Sequence, residues 1–243
     1  MNRKVTVIIP TTGNTQVLKA INSVLSQSYV NIELFVIIDG EQYHDDFYSL
    51  IDSAEIYDER MNVITLTQNV GGNGFYGHRI YAAFTHLINS DYVCYLDQDC
   101  WFDHIHVDSL IDTIEKNNLD WSYSLRNIAD KDGNFICHDN CESLGKYNPV
   151  MEYNHVDTNC YCIKTSVATK VCHVWHNSWG ADRIFYKVLS EHFPNSDCSG
   201  KYSLNYRVDG NSGSVKPEFF LYWNSKVFDL YKEKMPWSKE NIK

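Results

Sequence analysis

Proline is scarce in this chain, five residues in 243 and scattered, and no Pro/Ser-rich or low-complexity stretch interrupts it. One continuous domain over 1–243 is therefore the economical reading. No apolar run approaches the roughly 18 residues that a membrane-spanning helix needs, so the chain is not expected to cross a bilayer. Basic residues are short in one half only: residues 1–120 hold 6 Lys and Arg against 17 Asp and Glu, whereas 121–243 hold 15 against 14, and the net charge is −10. A protein that tracks a nucleic-acid backbone needs a basic face, so this balance argues against a nucleic-acid partner. The eight cysteines are too few for a disulfide scaffold and sit in apolar runs such as 92–96. Neither Cys160-x-Cys162 nor Cys137-x3-Cys141 has a partner pair at zinc-site spacing, and the thiols read as reduced and buried. Residues 1–5 offer neither a long apolar segment nor a small-residue cleavage site, so a cytoplasmic location is expected.

What is present is the composition of a globule, 44% apolar, 14% aromatic and 21% charged, and a regular alternation of patterns. Residues 4–9 form an apolar β-run stopped by Pro10, and Val17, Leu18, Ile21, Val24 and Leu25 then recur at helical spacing after Thr15, a candidate N-cap. A second strand over 32–38 ends at Asp39-Gly40, a short helix carries Phe47, Leu50, Ile51 and Ala54, and a third strand covers 62–67. Ile80, Ala83, Phe84, Leu87 and Ile88 line a helix that feeds a strand over 92–96, and Val107, Leu110, Ile111 and Ile114 line the next. Unbroken apolar strands alternating with helices predict an α/β fold, a mostly parallel, Rossmann-like central sheet flanked by helices on both faces. From about residue 120 the pattern turns mixed, with a hairpin expected at Asp132-Gly133 and helices near 165–172 and 181–191.

In parallel sheets ligands bind beyond the carboxyl ends of the strands. There the chain carries Pro10-Thr11-Thr12-Gly13, Asp39-Gly40, a Gly-rich loop from Gln68, and Asp97-Gln98-Asp99. Two carboxylates one residue apart at a strand end repel each other unless neutralised. A hard cation such as Mg²⁺ or Mn²⁺ shared with a diphosphate would do so, while an acidic strand cap is the plainer alternative. Gly72-Asn73-Gly74-Phe75-Tyr76-Gly77 also fits a dinucleotide fingerprint, with Asp97 20 residues beyond Gly77. It follows the third strand rather than the first. Its glycines more simply let backbone pass close to a ligand or to a neighbouring helix.

In order along the chain, five segments resemble the family-2 glycosyltransferases of the GT-A fold. They are Thr6-Val7-Ile8-Ile9-Pro10-Thr11-Thr12-Gly13-Asn14, Ser23-Val24-Leu25-Ser26-Gln27-Ser28, Phe35-Val36-Ile37-Ile38-Asp39-Gly40, Asn69-Val70-Gly71-Gly72 with His78-Arg79, and Asp97-Gln98-Asp99. The resemblance implies a donor half over 1–118, an acceptor half over 119–215 and a tail over 216–243. It also implies a metal-dependent inverting enzyme that moves a sugar from a nucleoside-diphosphate sugar, UDP- or dTDP-linked. Pro10, Thr11, Thr12, Asp39, Gly72, Arg79, Asp97, Gln98 and Arg207 would hold the donor, and Asp97 and Asp99 a Mn²⁺ or Mg²⁺ ion. Ile38 stands where the family has a first aspartate.

The family's base lies at the head of a later helix, where this chain has Trp179-Gly180-Ala181-Asp182. Alanine replaces the first acid, so Asp182 is the base candidate, with Asp157 next and a helix N-cap or dipole-favoured first-turn acid the alternative. Trp175, Trp179 and Gly180 are candidates for a sugar platform at the acceptor, whether glycan, lipid or protein, with core packing the commoner fate of any one tryptophan. The segment Leu204-Asn205-Tyr206-Arg207-Val208-Asp209-Gly210-Asn211-Ser212-Gly213-Ser214-Val215 resembles the loop that folds over the donor diphosphate. Phe219-Phe220-Leu221-Tyr222-Trp223 and six lysines after Val215 make the tail a candidate peripheral membrane contact, with core packing the commoner fate. A non-catalytic nucleotide-sugar or glycan-binding module and, through 72–77, a dinucleotide-dependent oxidoreductase are the other functional readings.

Overall fold

The computed structural model describes residues 3–208, 215–232 and 234–238. Among these, nine strands form one sheet: β1 Val5–Thr11, β2 Ile32–Ile38, β3 Met61–Thr65, β4 Tyr92–Tyr95, β5 Trp101–Phe102, β6 Trp121–Ala129, β7 Phe135–His138, β8 Tyr161–Lys164 and β9 Ser196–Arg207. The helices are α1 Val17–Leu25, α2 His44–Ser53, α3 His78–Phe84, α4 His106–Asn117, α5 Thr165–Val171, α6 Ala181–His192 and α7 Pro217–Tyr231. The strand order is β3-β2-β1-β4-β8-β6-β9-β5, with β7 beside β6.

The first four strands are parallel to one another, as the alternation predicts, and every residue of β1 is buried, the mark of a strand covered on both faces. β8 then runs antiparallel to β4, β6 antiparallel to β8, and β9 parallel to β6, so the second half continues the same sheet in mixed sense. The Asp132-Gly133 turn joins β6 to β7.

Two local expectations are corrected. Pro10 does not stop β1 but lies within it, opposite Ile37. Its missing N–H falls on the β4 side, where the last bond runs from the Leu96 amide to the Ile8 carbonyl, so no ladder bond is lost. Thr15 does not cap α1; Asn14 Oδ1 accepts from the Gln16 amide at 3.1 Å instead.

The tail is folded onto the body. Phe220 is buried in α7, Asn224 Oδ1 accepts from the Asn140 amide at 2.9 Å, and the indole N–H of buried Trp237 donates to the Tyr202 hydroxyl at 2.8 Å. Phe219 and Trp223 are half-buried against the core, while Leu221 and Tyr222 are exposed.

Candidate active site

A cavity of about 450 Å³ opens beyond the carboxyl ends of β1, β2 and β4, and Pro10, Thr11, Thr12, Asp39, Gly72, Asp97, Gln98 and Asp99 all line it. Gln98 ties two of its walls together. Its Oε1 accepts from the Thr11 hydroxyl at 2.7 Å and from the Thr12 amide at 3.1 Å. Asp39 is 4% exposed, and its carboxylate accepts from the amides of Val70 at 2.7 Å and Gly71 at 2.9 Å, which draws the Gly-rich loop over the cavity's edge. The glycines make that approach possible. A Cβ on Gly71 would lie 2.7 Å from Asp39 Oδ2 and 2.0 Å from the Tyr76 carbonyl oxygen, and one on Gly77 would lie 2.5 Å from Pro10 Cγ. Within 72–77 the glycines have separate local reasons: Gly77 packs on Pro10, Gly74 takes a φ of +82°, and a Cβ on Gly72 would lie 3.0 Å from Asn69 Oδ1.

Asp97 and Asp99 differ in how they are held. Asp97 Oδ1 accepts from the Tyr81 hydroxyl at 2.8 Å and Oδ2 from Asn159 Nδ2 at 2.9 Å, while Asn159 Oδ1 accepts from the Asp97 amide. Burial raises the Asp97 carboxyl above its ordinary value. Asp99 has the Cys100 thiol at 3.7 Å as a weak donor, and burial followed by the charge of Asp97 pushes its carboxyl up to about 6. Among the described residues no group of three His, Cys, Asp or Glu side chains is placed to hold a metal. The donor set therefore does not fit an all-protein cage. It does fit a hard cation shared between Asp99, with Asp97 behind it, and the oxygens of a diphosphate, because Mg²⁺-type ions typically take one or two carboxylates with phosphate and water.

Two expected donor contacts lie elsewhere. Arg79 Nη1 donates to the Val70 carbonyl at 3.1 Å and the guanidinium sits 3.4 Å over the Phe75 ring, so this side chain braces the Gly-rich loop and does not line the cavity. Arg207 is tied through Nε to the Asp99 carbonyl at 3.1 Å and through Nη1 to the Lys131 carbonyl, also outside the cavity's lining. Asp209 to Ser214 of the loop that follows lie outside the described residues.

A second cavity of about 190 Å³ shares Tyr76, His78 and Asp97 with the first. Its far wall carries Trp179, Gly180 and Asp182, with Trp179 72% exposed. Asp182 is not the N-cap of α6, which is Gly180, but it is the acid of the first turn, as its alternative reading allowed. Its Oδ2 lies 3.3 Å from Nε2 of buried His155, and its Oδ1 accepts from the Arg183 amide at 2.8 Å. Burial alone would raise the Asp182 carboxyl, but the hydrogen bond and charge of His155 outweigh it and hold the carboxyl below its ordinary value. Burial likewise opposes the His155 cation, yet Asp182 keeps its value raised, so both partners favour the ion pair.

Trp175 does not reach this cavity. It is fully buried and stacks on Phe185 with ring centroids 4.0 Å apart, which makes it core rather than platform. Asp157, the alternative base, is already bound. Arg126 Nη1 donates to Asp157 Oδ2 at 2.6 Å, and Asn159 donates to Oδ1 from its backbone at 2.9 Å and its side chain at 2.8 Å. Arg126, 2% exposed, also meets Asp139 at 2.7 Å and Glu142. Asn159, His155 and Arg126 carried no spacing signal, since their partners lie far along the chain, and His78 stood out only beside Arg79 at the head of α3: Asn159 is 62 residues from Asp97 and His78 is 99 from Asn177.

The family model described as glycosyl transferase family 2 matches residues 6–171. A 57-residue stretch is 39% identical to an uncharacterized protein of Haemophilus influenzae; the match covers 24% of this chain and 38% of that protein. Among solved structures, S. aureus TarS 1–349 in complex with UDP-GlcNAc is similar over 95% of this chain and 67% of that one, with a TM-score of 0.65 at 15% identity. The same fragment in complex with UDP gives 0.63 at 14% identity, over 95% of this chain and 66% of that one. Against TarS itself the values are 0.58 and 13%, and this chain spans 44% of it. At such identities the likeness speaks for the fold, which is GT-A-like.

Proposed function

Because the chain belongs to glycosyl transferase family 2, we propose that it moves a sugar from a nucleoside-diphosphate donor to an acceptor hydroxyl in one inverting displacement. The observation that carries this reading is the pair of cavities meeting at Tyr76, His78 and Asp97, one ending in Asp99 and the other in Asp182. A sugar at that junction has its leaving diphosphate on one side and its acceptor on the other, the arrangement an in-line attack requires.

Pro10, Thr11, Thr12 and Asp39 form the nucleotide end. A uridine or thymidine diphosphate is the proposed donor, and the UDP and UDP-GlcNAc complexes of the similarly folded TarS support it. Asp99, backed by Asp97, is where Mn²⁺ or Mg²⁺ would bind, and the chemistry such an ion supplies when bound is neutralisation of charge on the leaving diphosphate. Asp182 takes the proton from the acceptor hydroxyl as its oxygen bonds to the anomeric carbon and the bond to the diphosphate breaks. Asp97, Glu142, Asp157 and Asp182 line the acceptor cavity with Arg126, Arg183 and His155, so most of its charge is internally paired. The exposed Trp179 ring suits the CH-rich face of a neutral saccharide. A cytoplasmic setting is part of the proposal and is supported by the eight free thiols, seven of them buried.

Calorimetric titration with UDP, dTDP, GDP and NAD, each with and without Mn²⁺, tests the reading. Mn²⁺-promoted binding of a pyrimidine nucleoside diphosphate is expected; binding of NAD alone overturns it. Binding of the diphosphate with no release of sugar from UDP-sugars, to water or to saccharides, would leave a binding module instead.

A further inference from the structure

His78 is the first residue of α3, and its Nδ1 lies 3.0 Å from the Asn177 carbonyl oxygen. A carbonyl only accepts, so Nδ1 carries the hydrogen, and in the neutral ring Nε2 is left as a lone-pair acceptor. Nε2 is not among the buried unpartnered atoms, and no described residue bonds to it. It is therefore accessible, on a residue that lines both cavities. The ring is also held in place. It lies 5.8 Å from the Trp175 ring at 29° and 5.7 Å from the Tyr76 ring, and Trp175 is itself stacked on Phe185 in the core.

Of the three residues common to both cavities, Asp97 has each carboxylate oxygen occupied, by Tyr81 and by Asn159. His78 offers an unused acceptor on a fixed ring. We propose that His78 selects the transferred sugar, Nε2 accepting a hydrogen bond from one of its hydroxyl or amide groups, an inference that rests on the proposed function. A site built to bond a substrate hydroxyl discriminates against an analogue lacking it, because the buried partner is then left unpaired. His78 thereby supplies a specificity that the nucleotide end of the cavity cannot.

The test is titration of wild type, His78→Phe and His78→Gln, Mn²⁺ being present throughout, with UDP, UDP-glucose, UDP-galactose and UDP-N-acetylglucosamine. Phenylalanine keeps the stacking ring but has no Nε2; glutamine restores an amide oxygen. All three proteins should bind UDP within about twofold of one another, which also reports that the nucleotide end is folded. His78→Phe should lose about 10-fold in affinity for the UDP-sugar that wild type holds best, with glutamine recovering part of it. Among deoxy forms of that donor, one should bind wild type and His78→Phe equally. Unchanged UDP-sugar affinity in His78→Phe, or equal losses for UDP and UDP-sugar, overturns the inference. Should the phenylalanine variant fail to fold by circular dichroism, His78→Leu enters the same titrations with the same criteria. Absence of binding by wild type to all four ligands would instead bring down the proposed function, a distinct result.

Discussion

The two halves of the sheet treat buried charge in opposite ways. In the first half of the sheet, carboxylates at strand ends are held by hydrogen-bond donors rather than by cations: Asp39 by two loop amides, Asp97 by a tyrosine hydroxyl and an asparagine amide. Asp99 is left with its carboxyl raised to about 6 by burial and by Asp97. In the second half, Arg126 is surrounded by Asp139, Glu142 and Asp157, and His155 is paired with Asp182. One half leaves charge for a ligand to neutralise, and the other neutralises most of its own. The difference teaches that an excess of acid can mean two things, a waiting ligand site or a folded ion network, and that the position of the cations separates them.

The comparison is broken most sharply at Asp182. If it takes the acceptor's proton, Asp182→Asn should slow transfer by about 10² to 10⁴-fold while leaving donor affinity nearly unchanged. Retention of most of the wild-type rate in a steady-state assay would return Asp182 to a structural partner of His155. Next comes the ion network itself. Arg126→Met leaves three carboxylates without their cation and should cost about 3–5 kcal/mol in urea or guanidinium unfolding. A loss under about 1 kcal/mol would mean that the network does not hold the second half together.

On the donor side, Asp99→Asn should remove at least about 10-fold of the Mn²⁺-promoted affinity for UDP without changing the melting temperature much, since Asp99 lies beyond a strand end. Equal Mn²⁺ dependence in variant and wild type would rule out Asp99 as a ligand. The pH dependence sharpens the comparison further. His155 is raised above its ordinary 6.5, so its contribution to stability is complete below that value and is lost as pH rises through the folded-state value. Asp182 is lowered below its ordinary 3.8, so its contribution is present above that value and is lost as pH falls through the folded-state one. The pair therefore stabilises most between about pH 4 and 6.5. Above that window the proton leaves His155 and Asp182 becomes the freer base, so transfer should rise with pH as this stabilisation falls. His155→Gln should flatten both trends, and persistence of either assigns it to another group. The smallest effect is expected at the tail. Leu221, Tyr222 and Phe228 of α7 are exposed, and co-sedimentation with anionic liposomes should show weak, salt-sensitive binding that Phe228→Ser reduces; no binding at low salt would dismiss a membrane role.

Legibility follows the same division. That strand-end residues such as Thr11, Asp39 and Asp99 line one cavity was readable because the carboxyl ends of parallel strands open on the same side of the sheet whatever their neighbours are. The second half resisted. Trp175 and Trp179, four residues apart, looked alike as platforms, yet one is fully buried and the other 72% exposed. Arg79 and Arg207 had the right charge in the right segments, but carbonyl oxygens of Val70, Asp99 and Lys131 claim their guanidinium groups.

Residue order alone determined the alternation of strands and helices, the carboxylates that end β2 and β4, and Asp182 in the first turn of α6. These depend on local propensity and periodicity, which act over a few residues. The tertiary structure decided that Asn159 reaches Asp97 across 62 residues, that His78 meets the Asn177 carbonyl across 99, and that Arg126 gathers its three acids. Period and propensity specify which face of an element is buried, but not which distant side chain arrives against it; that is settled only when the strands take their order in the sheet.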